Sequence, residues 1–213
     1  MRRIITVLAI AALFACRKHE AAPPAAQPAN ASTTSSSSAV NGTEAAVTAT
    51  ESAVAPEVNP PGDIPDSQAF VRFTSSAGGY SLEVPEGWAR SESGAAVTFA
   101  DKLDGVRVAI VPASAAPTSS TAQQNEAKTI QQSGRAVAIN SVKDVSLPSG
   151  PAVVINYESN SDPNPVTNRQ VRLENQSFLY FKNGKEAVVT LWAPKGADNV
   201  DQWTRMSKSF RWL

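Results

Sequence analysis

The stretch from Gly78 to Pro112 constrains this chain most, because it reads as three strands set between turns and a sheet must be built around it. Tyr80, Leu82 and Val84 alternate with Ser81 and Glu83, the period of a half-buried strand. Pro85-Glu86-Gly87 ends that strand, since proline lacks a ladder N–H and glycine accepts a positive φ. Trp88 then falls back onto the core just begun. Ala95 to Ala100 is the next strand, Asp101 to Gly105 closes a hairpin, and Val106 to Val111 returns as a nearly continuous apolar strand.

That sheet cannot draw on the whole chain. Of the 213 residues, those before position 67 carry no Trp, no Tyr and a single Phe, Phe14. Roughly the last two-thirds supply the aromatic and branched side chains that a core needs, a comfortable size for one domain. With Arg2, Arg3, Arg17 and Lys18 set aside, fifteen of the 19 basic residues remain from residue 67 on, against thirteen acidic ones. A domain so nearly neutral has no electrostatic footprint for nucleic acid. The chain has one cysteine, Cys16, and one histidine, His19, so no intrachain disulfide and no Cys/His metal cluster can form.

Met1-Arg2-Arg3 precedes an apolar run from Ile4 to Phe14, too short to span a bilayer and of the length of a signal-peptide core. It ends in Leu13-Phe14-Ala15-Cys16, with charge returning at Arg17-Lys18. This resembles the lipobox of bacterial lipoproteins, apart from Phe14 where a small residue is usual. The resemblance implies cleavage after Ala15, a signal peptide over 1–15 and a lipidated Cys16. Two or three acyl chains anchor stably where one is marginal. Arg17 after the cysteine favours the outer membrane, facing the periplasm, in a two-membrane bacterium. Residues 16–66 are rich in Ala, Ser, Thr and Pro, with six acidic residues, no basic residue after Lys18 and no aromatic. They read as the lipidated cysteine followed by a disordered tether of about 45 residues with a reach of roughly 35–40 Å.

Residues 67–213 read as one domain. Gln68 to Thr74 is a strand; Ser119 or Ser120 caps a helix running through Gln132, with Gly134 beyond its end. Arg135 to Val145, Ala152 to Tyr157 and Gln170 to Phe181 are further strands. Asn183-Gly184 is a hairpin turn that sends Lys185 to Ala193 back alongside the last of them. Asp198 or Asn199 starts a final helix with Val200, Trp203, Met206 and Phe210 on one stripe. The fold class is α+β, a mostly antiparallel sheet flanked by helices.

The GYSLEVPEGW opening, the FADKLDGVRVAIVP hairpin, the PSGPAVVINYES strand and the strand–NG–strand–helix ending resemble the PsbP-like superfamily over about residues 68 to 213. That superfamily includes photosystem II extrinsic proteins, a Ran-binding nuclear-import protein and bacterial lipoproteins of the DcrB and LpqN kind. The resemblance implies an α/β/α sandwich, no shared catalytic residues and an accessory or binding role.

The residues agree with a role of that kind. Beyond His19 the chain has neither histidine nor cysteine, which removes Ser-His and Cys-His catalysis from the domain. Glu83 with Glu86, and Asp101 with Asp104, sit at turns, where solvated carboxylates are the ordinary case. Glu158, Asn160, Asp162 and Asn164 alternate as in an oxygen-rich calcium loop, but Pro163 stands where the turning glycine belongs. The expectation is therefore no cofactor and no metal. Phe178, Tyr180 and Trp192 on neighbouring strands are the candidate interaction surface, open to a partner unless the terminal helix covers it. The function expected is a lipid-anchored, non-catalytic cell-envelope protein that docks an envelope protein partner. The alternatives are an envelope hydrolase using carboxylates and a small-ligand-binding lipoprotein.

Overall fold

In the computed structural model, which describes residues 51–213, Asn183 and Gly184 take φ values of +50° and +75°. Two positive φ values in a two-residue turn match the twist of the strands it joins. The turn pairs Lys182 with Lys185, and from there the register runs to Leu173 opposite Pro194.

Among the described residues thirteen elements follow in order. Strands β1 (Phe70–Ser75), β2 (Tyr80–Pro85), β3 (Ala89–Ser93), β4 (Ala96–Asp101) and β5 (Asp104–Pro112) come first. Helices α1 (Ser119–Gln124) and α2 (Glu126–Ser133) lead to β6 (Ala138–Leu147), β7 (Gly150–Asn160), β8 (Arg172–Lys182) and β9 (Lys185–Pro194). Helix α3 (Val200–Ser209) and the short β10 (Arg211–Trp212) end the chain. The strands form a seven-stranded antiparallel sheet in the order β3-β4-β5-β9-β8-β7-β6 and a three-stranded sheet in the order β1-β2-β10.

Alternation along the strands gives the large sheet two apolar faces. On one, Val97, Phe99, Val106, Val108, Val154, Phe178, Tyr180, Val189 and Leu191 meet Tyr80, Leu82 and Val84 of β2 and Trp203, Met206 and Phe210 of the C-terminal segment. Here the expected helical layer is replaced by the small sheet with α3 beside it. The molecule is thus richer in sheet than a helix-flanked sandwich. The reason is that β10 hydrogen-bonds to β2, placing Trp212 opposite Tyr80, so the chain end extends a sheet rather than a helix.

On the other face Val153, Ile155, Tyr157 and Leu179 pack under Ala122 and Ala127, with Ile130 and Val137 at the margin. The helix expected over 119–132 is two helices, broken at Asn125 (φ −114°, ψ −77°), a weak helix former. Thr118 caps α1 through a capping box with Thr121. Seven strands span roughly 30 Å, whereas a helix with its side chains is about 10–12 Å across. Helices α1 and α2 pack against β6 and β7 and reach Leu179 of β8, leaving the β9–β5 part of this face uncovered.

Three further expectations are corrected. The β3 and β10 strands fall where no strand was expected. Val200 is 71% exposed and lies off the buried stripe of α3, which runs through Trp203, Met206 and Phe210. The domain boundary at residue 67 moves as well, because residues 51–66 lie against the domain as a strap. Asn160, 4% exposed, accepts from Val54 N–H (3.1 Å) and donates to Ser52 O (2.9 Å) and Glu51 Oε1 (2.9 Å). Asn199, 2% exposed, accepts from Ile64 N–H (2.7 Å) and donates to Gly62 O (2.8 Å), and Ile64 enters the core. Each buried amide thus satisfies a peptide donor and acceptor of the strap. This holds a segment that has little apolar surface of its own to bury. The signal peptide over 1–15, Cys16 and the rest of the tether lie outside the described residues.

Candidate functional site: a cleft on the uncovered half of the sheet

Where the helices stop short, a cleft of about 580 Å³ opens between the end of α2, the β4–β5 turn and the sheet. Its floor is a row running across the strands. Tyr157 of β7 lies opposite Asn175 of β8, which lies opposite Trp192 of β9, which lies opposite Gly105 of β5. Residues in one such row share a face.

The row fixes how Trp192 lies. A Cβ at residue 105 would stand 1.9 Å from Trp192 Cζ2 and 2.4 Å from both Cε2 and Cη2, the spacing of an atom above the ring face, so the indole rests flat over the bare Gly105 backbone. Glycine is required here by that close approach. One ring face lies on Gly105, and Trp192, half-buried, lines the cleft. Asn175, 6% exposed, donates to Ser159 Oγ (3.1 Å) and Tyr157 O (3.4 Å), which orients its amide. No donor to Asn175 Oδ1 occurs among the described residues. Burial raises the Tyr157 hydroxyl above its ordinary pKa, so it stays protonated at neutral pH.

The rim carries charge. Lys102 sits at the β4–β5 turn with φ +51°, a left-handed conformation unusual for lysine. Arg135 stands on the opposite side and pairs with Glu51 of the strap at 3.0 Å. Hydrogen bonds from Asn160, then Gln170, hold the Glu51 carboxyl below its ordinary pKa. Behind the rim, Arg172, 4% exposed, pairs with Glu158 (3.3 Å), donates to Ala136 O (2.8 Å) and to Asn160 Oδ1 (3.0 Å). Lys195 also binds Glu158, and that hydrogen bond is the first cause of its lowered pKa. The strap, the cleft rim and this buried arginine are joined through Asn160.

The expected aromatic patch is not assembled. Phe178 and Tyr180 lie on the opposite face of the sheet from Trp192, because the two-residue turn pairs Phe178 with Val189 and Trp192 with Asn175. Both are covered. Phe178 is 7% and Tyr180 1% exposed, and Tyr180 stacks on Phe210 at 4.4 Å while its hydroxyl donates to Ser207 O (2.7 Å). The terminal segment is the cover, and only Trp192 of the three faces a cleft. The other members of the cleft floor were not singled out in the sequence. The parity of the Asn183-Gly184 hairpin, which puts Asn175 beside Trp192, is the signal that finds the first of them.

The carboxylates do not converge on this cleft. Asp104, 6% exposed, is pushed up to about 7 by burial and then by Asp101 and Asp63, under the strap near Asn199. Glu186, 5% exposed, is pushed up to about 7 by burial and then by Glu126, in a separate cleft of about 370 Å³ at the start of α2. Of the alternating Glu158, Asn160, Asp162 and Asn164, three are engaged by protein: Glu158 by Arg172 and Lys195, Asn160 by the strap and Arg172, and Asn164 Oδ1 by the Val166 and Thr167 N–H groups, while Asp162 lines the cleft. Among the described residues, no group of three or more His, Cys, Asp or Glu side chains is placed to hold a metal ion. Also among them, no helix is long and apolar enough to cross a membrane.

The sequence matches no protein-family model, and no curated protein matches it. Among solved structures it is similar to cyanobacterial PsbP (CyanoP) from Synechocystis sp. PCC 6803, at 15% identity and a TM-score of 0.51, over 72% of this chain and 99% of that one. It is also similar to a Bacteroides thetaiotaomicron protein (10% identity, TM-score 0.43, 67% of this chain and 48% of that one). A Pseudomonas aeruginosa protein of unknown function is a further neighbour (9% identity, TM-score 0.44, 66% of this chain and 94% of that one). The cyanobacterial likeness speaks to architecture alone, and with the strand order above it gives the conclusion that this chain has a PsbP-like fold.

Proposed function

We propose that this chain is a lipid-anchored, non-catalytic binding protein of the bacterial cell envelope, and that its recognition site is the cleft over Trp192. The observation that carries the reading is the composition of that cleft. An aromatic and apolar floor of Trp192, Tyr157 and Leu173 is set among amides and hydroxyls with Lys102, Arg135 and Asp162 beside them, and among the described residues no serine of the lining hydrogen-bonds to a lysine or carboxylate side chain. Concave apolar sites with a few placed polar groups are the common form of ligand pockets. The hydrolase alternative rests on carboxylates, and the three with raised pKa values, Asp104, Glu174 and Glu186, all lie outside the cleft lining. With Phe178 and Tyr180 buried, docking on a flat aromatic patch loses its support, and the ligand-binding alternative gains from the cleft. The Leu13–Cys16 lipobox supports the anchor, and the Pro- and Ser-rich residues after it support a tether that holds the domain off the membrane.

The anchor has a direct test. Cys16→Ser in the full chain leaves a folded domain that moves from the membrane fraction to the soluble fraction on cell fractionation at high salt. A variant that still pellets entirely with membranes overturns the anchor.

A further inference from the structure

We propose that the cleft binds the pyranose ring of a sugar, stacked on the free face of Trp192 and held at its edge by Asn175 and Ser159. This rests on the reading of the cleft as the recognition site and names its ligand class.

A pyranose presents a flat patch of C–H groups and a perimeter of hydroxyls. The cleft presents the converse. Trp192 offers one electron-rich ring face, since the other is taken up by Gly105. The C–H groups of a sugar carry partial positive charge, the edge type that an aromatic face attracts. Around the ring the polar groups are mostly uncharged and of both kinds. Asn175 Oδ1 is an acceptor without a protein donor among the described residues, and the Ser159 hydroxyl, which accepts from Asn175, still has its hydrogen to donate. Hydroxyls of a ligand, which also donate and accept, can satisfy such a set. A purely apolar ligand would leave Asn175, 6% exposed, without its remaining hydrogen bond. Of the charged side chains in the lining, Arg135 is paired with Glu51 and Asp162 is acidic, so Lys102 is the one that adds attraction for a sugar that carries a carboxylate.

The row is built rather than incidental. The ring can lie flat only over a glycine, and Asn175 is oriented by two hydrogen bonds that leave its oxygen free. The cleft, about 580 Å³, falls within the roughly 300–1,000 Å³ of ordinary ligand sites.

The test follows the indole N–H resonances of the full, lipidated chain in detergent micelles by nitrogen–proton NMR, with that of Trp192 assigned through Trp192→Phe. Three probes are added separately at millimolar concentration: N-acetylglucosamine, glucuronic acid and the dipeptide alanyl-glutamate. The expected result is a saturable shift of the Trp192 resonance with at least one sugar, with saturation transfer to that sugar's ring C–H protons. Trp192→Ala weakens the binding by about tenfold or more, the scale of one aromatic stacking contact. Gly105→Ala, which displaces the ring without removing it, weakens it too. Should either variant fail to fold, the wild-type resonance shift and its saturation transfer still decide the matter. A shift with the dipeptide alone overturns the sugar assignment and leaves the cleft as a binding site. No shift with any of the three overturns both. Sugar binding that persists unchanged in folded Trp192→Ala overturns the assignment to this ring.

Discussion

Replacing Phe210 by alanine is expected to remove about 3–5 kcal/mol of stability, the usual cost of emptying a buried aromatic site. Phe210 is fully buried and lies where the two sheets meet. Its ring stacks on Tyr180 at 4.4 Å and on Tyr80 at 5.8 Å, and meets Trp212 edge-on at 5.3 Å. It thus joins β8 of the large sheet to β2 and β10 of the small one. At Phe210 the backbone leaves α3 with φ −57° and ψ 134°, which turns the chain into β10. Leucine at this position keeps much of the volume and is expected to cost less than half as much. Urea unfolding of the full chain measures both. A loss under about 1 kcal/mol for Phe210→Ala, far below the cost of a core cavity, would mean that the terminal segment does not close the aromatic face as described.

Acidity gives the second large effect. Asp104 and Glu186 have folded-state pKa values near 7, above their ordinary 3.8 and 4.5, each chiefly through burial. A raised carboxyl pKa means that the folded state binds the proton more tightly than the unfolded one. The stability it contributes is complete below the ordinary value and is lost as pH rises towards 7. The loss between about pH 4 and pH 7 should reach roughly 6 kcal/mol at most for the two together. Glu83 and Glu158 act oppositely, because hydrogen bonds from Arg205 and from Lys195 lower their pKa values. What they contribute is present above about 4.5 and is lost in stronger acid. Thermal melts should therefore show greatest stability near pH 4.5–5, below neutrality. Glu186→Gln and Asp104→Asn should each flatten the fall above that maximum. Melts whose stability rises steadily from pH 5 to pH 7 would contradict the burial of these two carboxyls.

Local chemistry made much of the fold legible in the sequence. Tyr80, Leu82 and Val84 alternate as a strand with one packed face, and Gly87 takes the positive φ that ends it. Asn183-Gly184 forms the turn its dipeptide predicts. What stayed hidden depended on distant partners. Ala89 to Ser93 is exposed throughout and carries no apolar periodicity, so only pairing with β4 makes it a strand. Arg211-Trp212 is too short to read as a strand and exists because β2 lies beside it. The strap over 51–66 has the composition of a disordered segment. Its order comes from Asn160 and Asn199, roughly a hundred or more residues away in sequence. Composition measures what a segment can bury and is silent about hydrogen bonds that a distant side chain supplies.

The site divides the same way. Trp192 was legible as a candidate surface aromatic but was grouped with Phe178 and Tyr180, from which the parity of the Asn183-Gly184 turn separates it. The cleft itself was not legible. It exists because α1 and α2 break at Asn125 and cover the β6–β7 side of a seven-stranded sheet only as far as Leu179 of β8, a matter of how far two short helices reach.

The most direct measurement is photocrosslinking in intact cells from the cleft rim. A photoreactive residue replaces Lys102 in the full chain, with a second chain carrying it at exposed Arg90 on the β3 edge as control. A recognition cleft predicts a reproducible adduct from position 102, which disappears when Trp192 is also changed to alanine and is missing from position 90. The same adduct from both positions, or an adduct that survives the loss of Trp192, would contradict the cleft as the site of recognition.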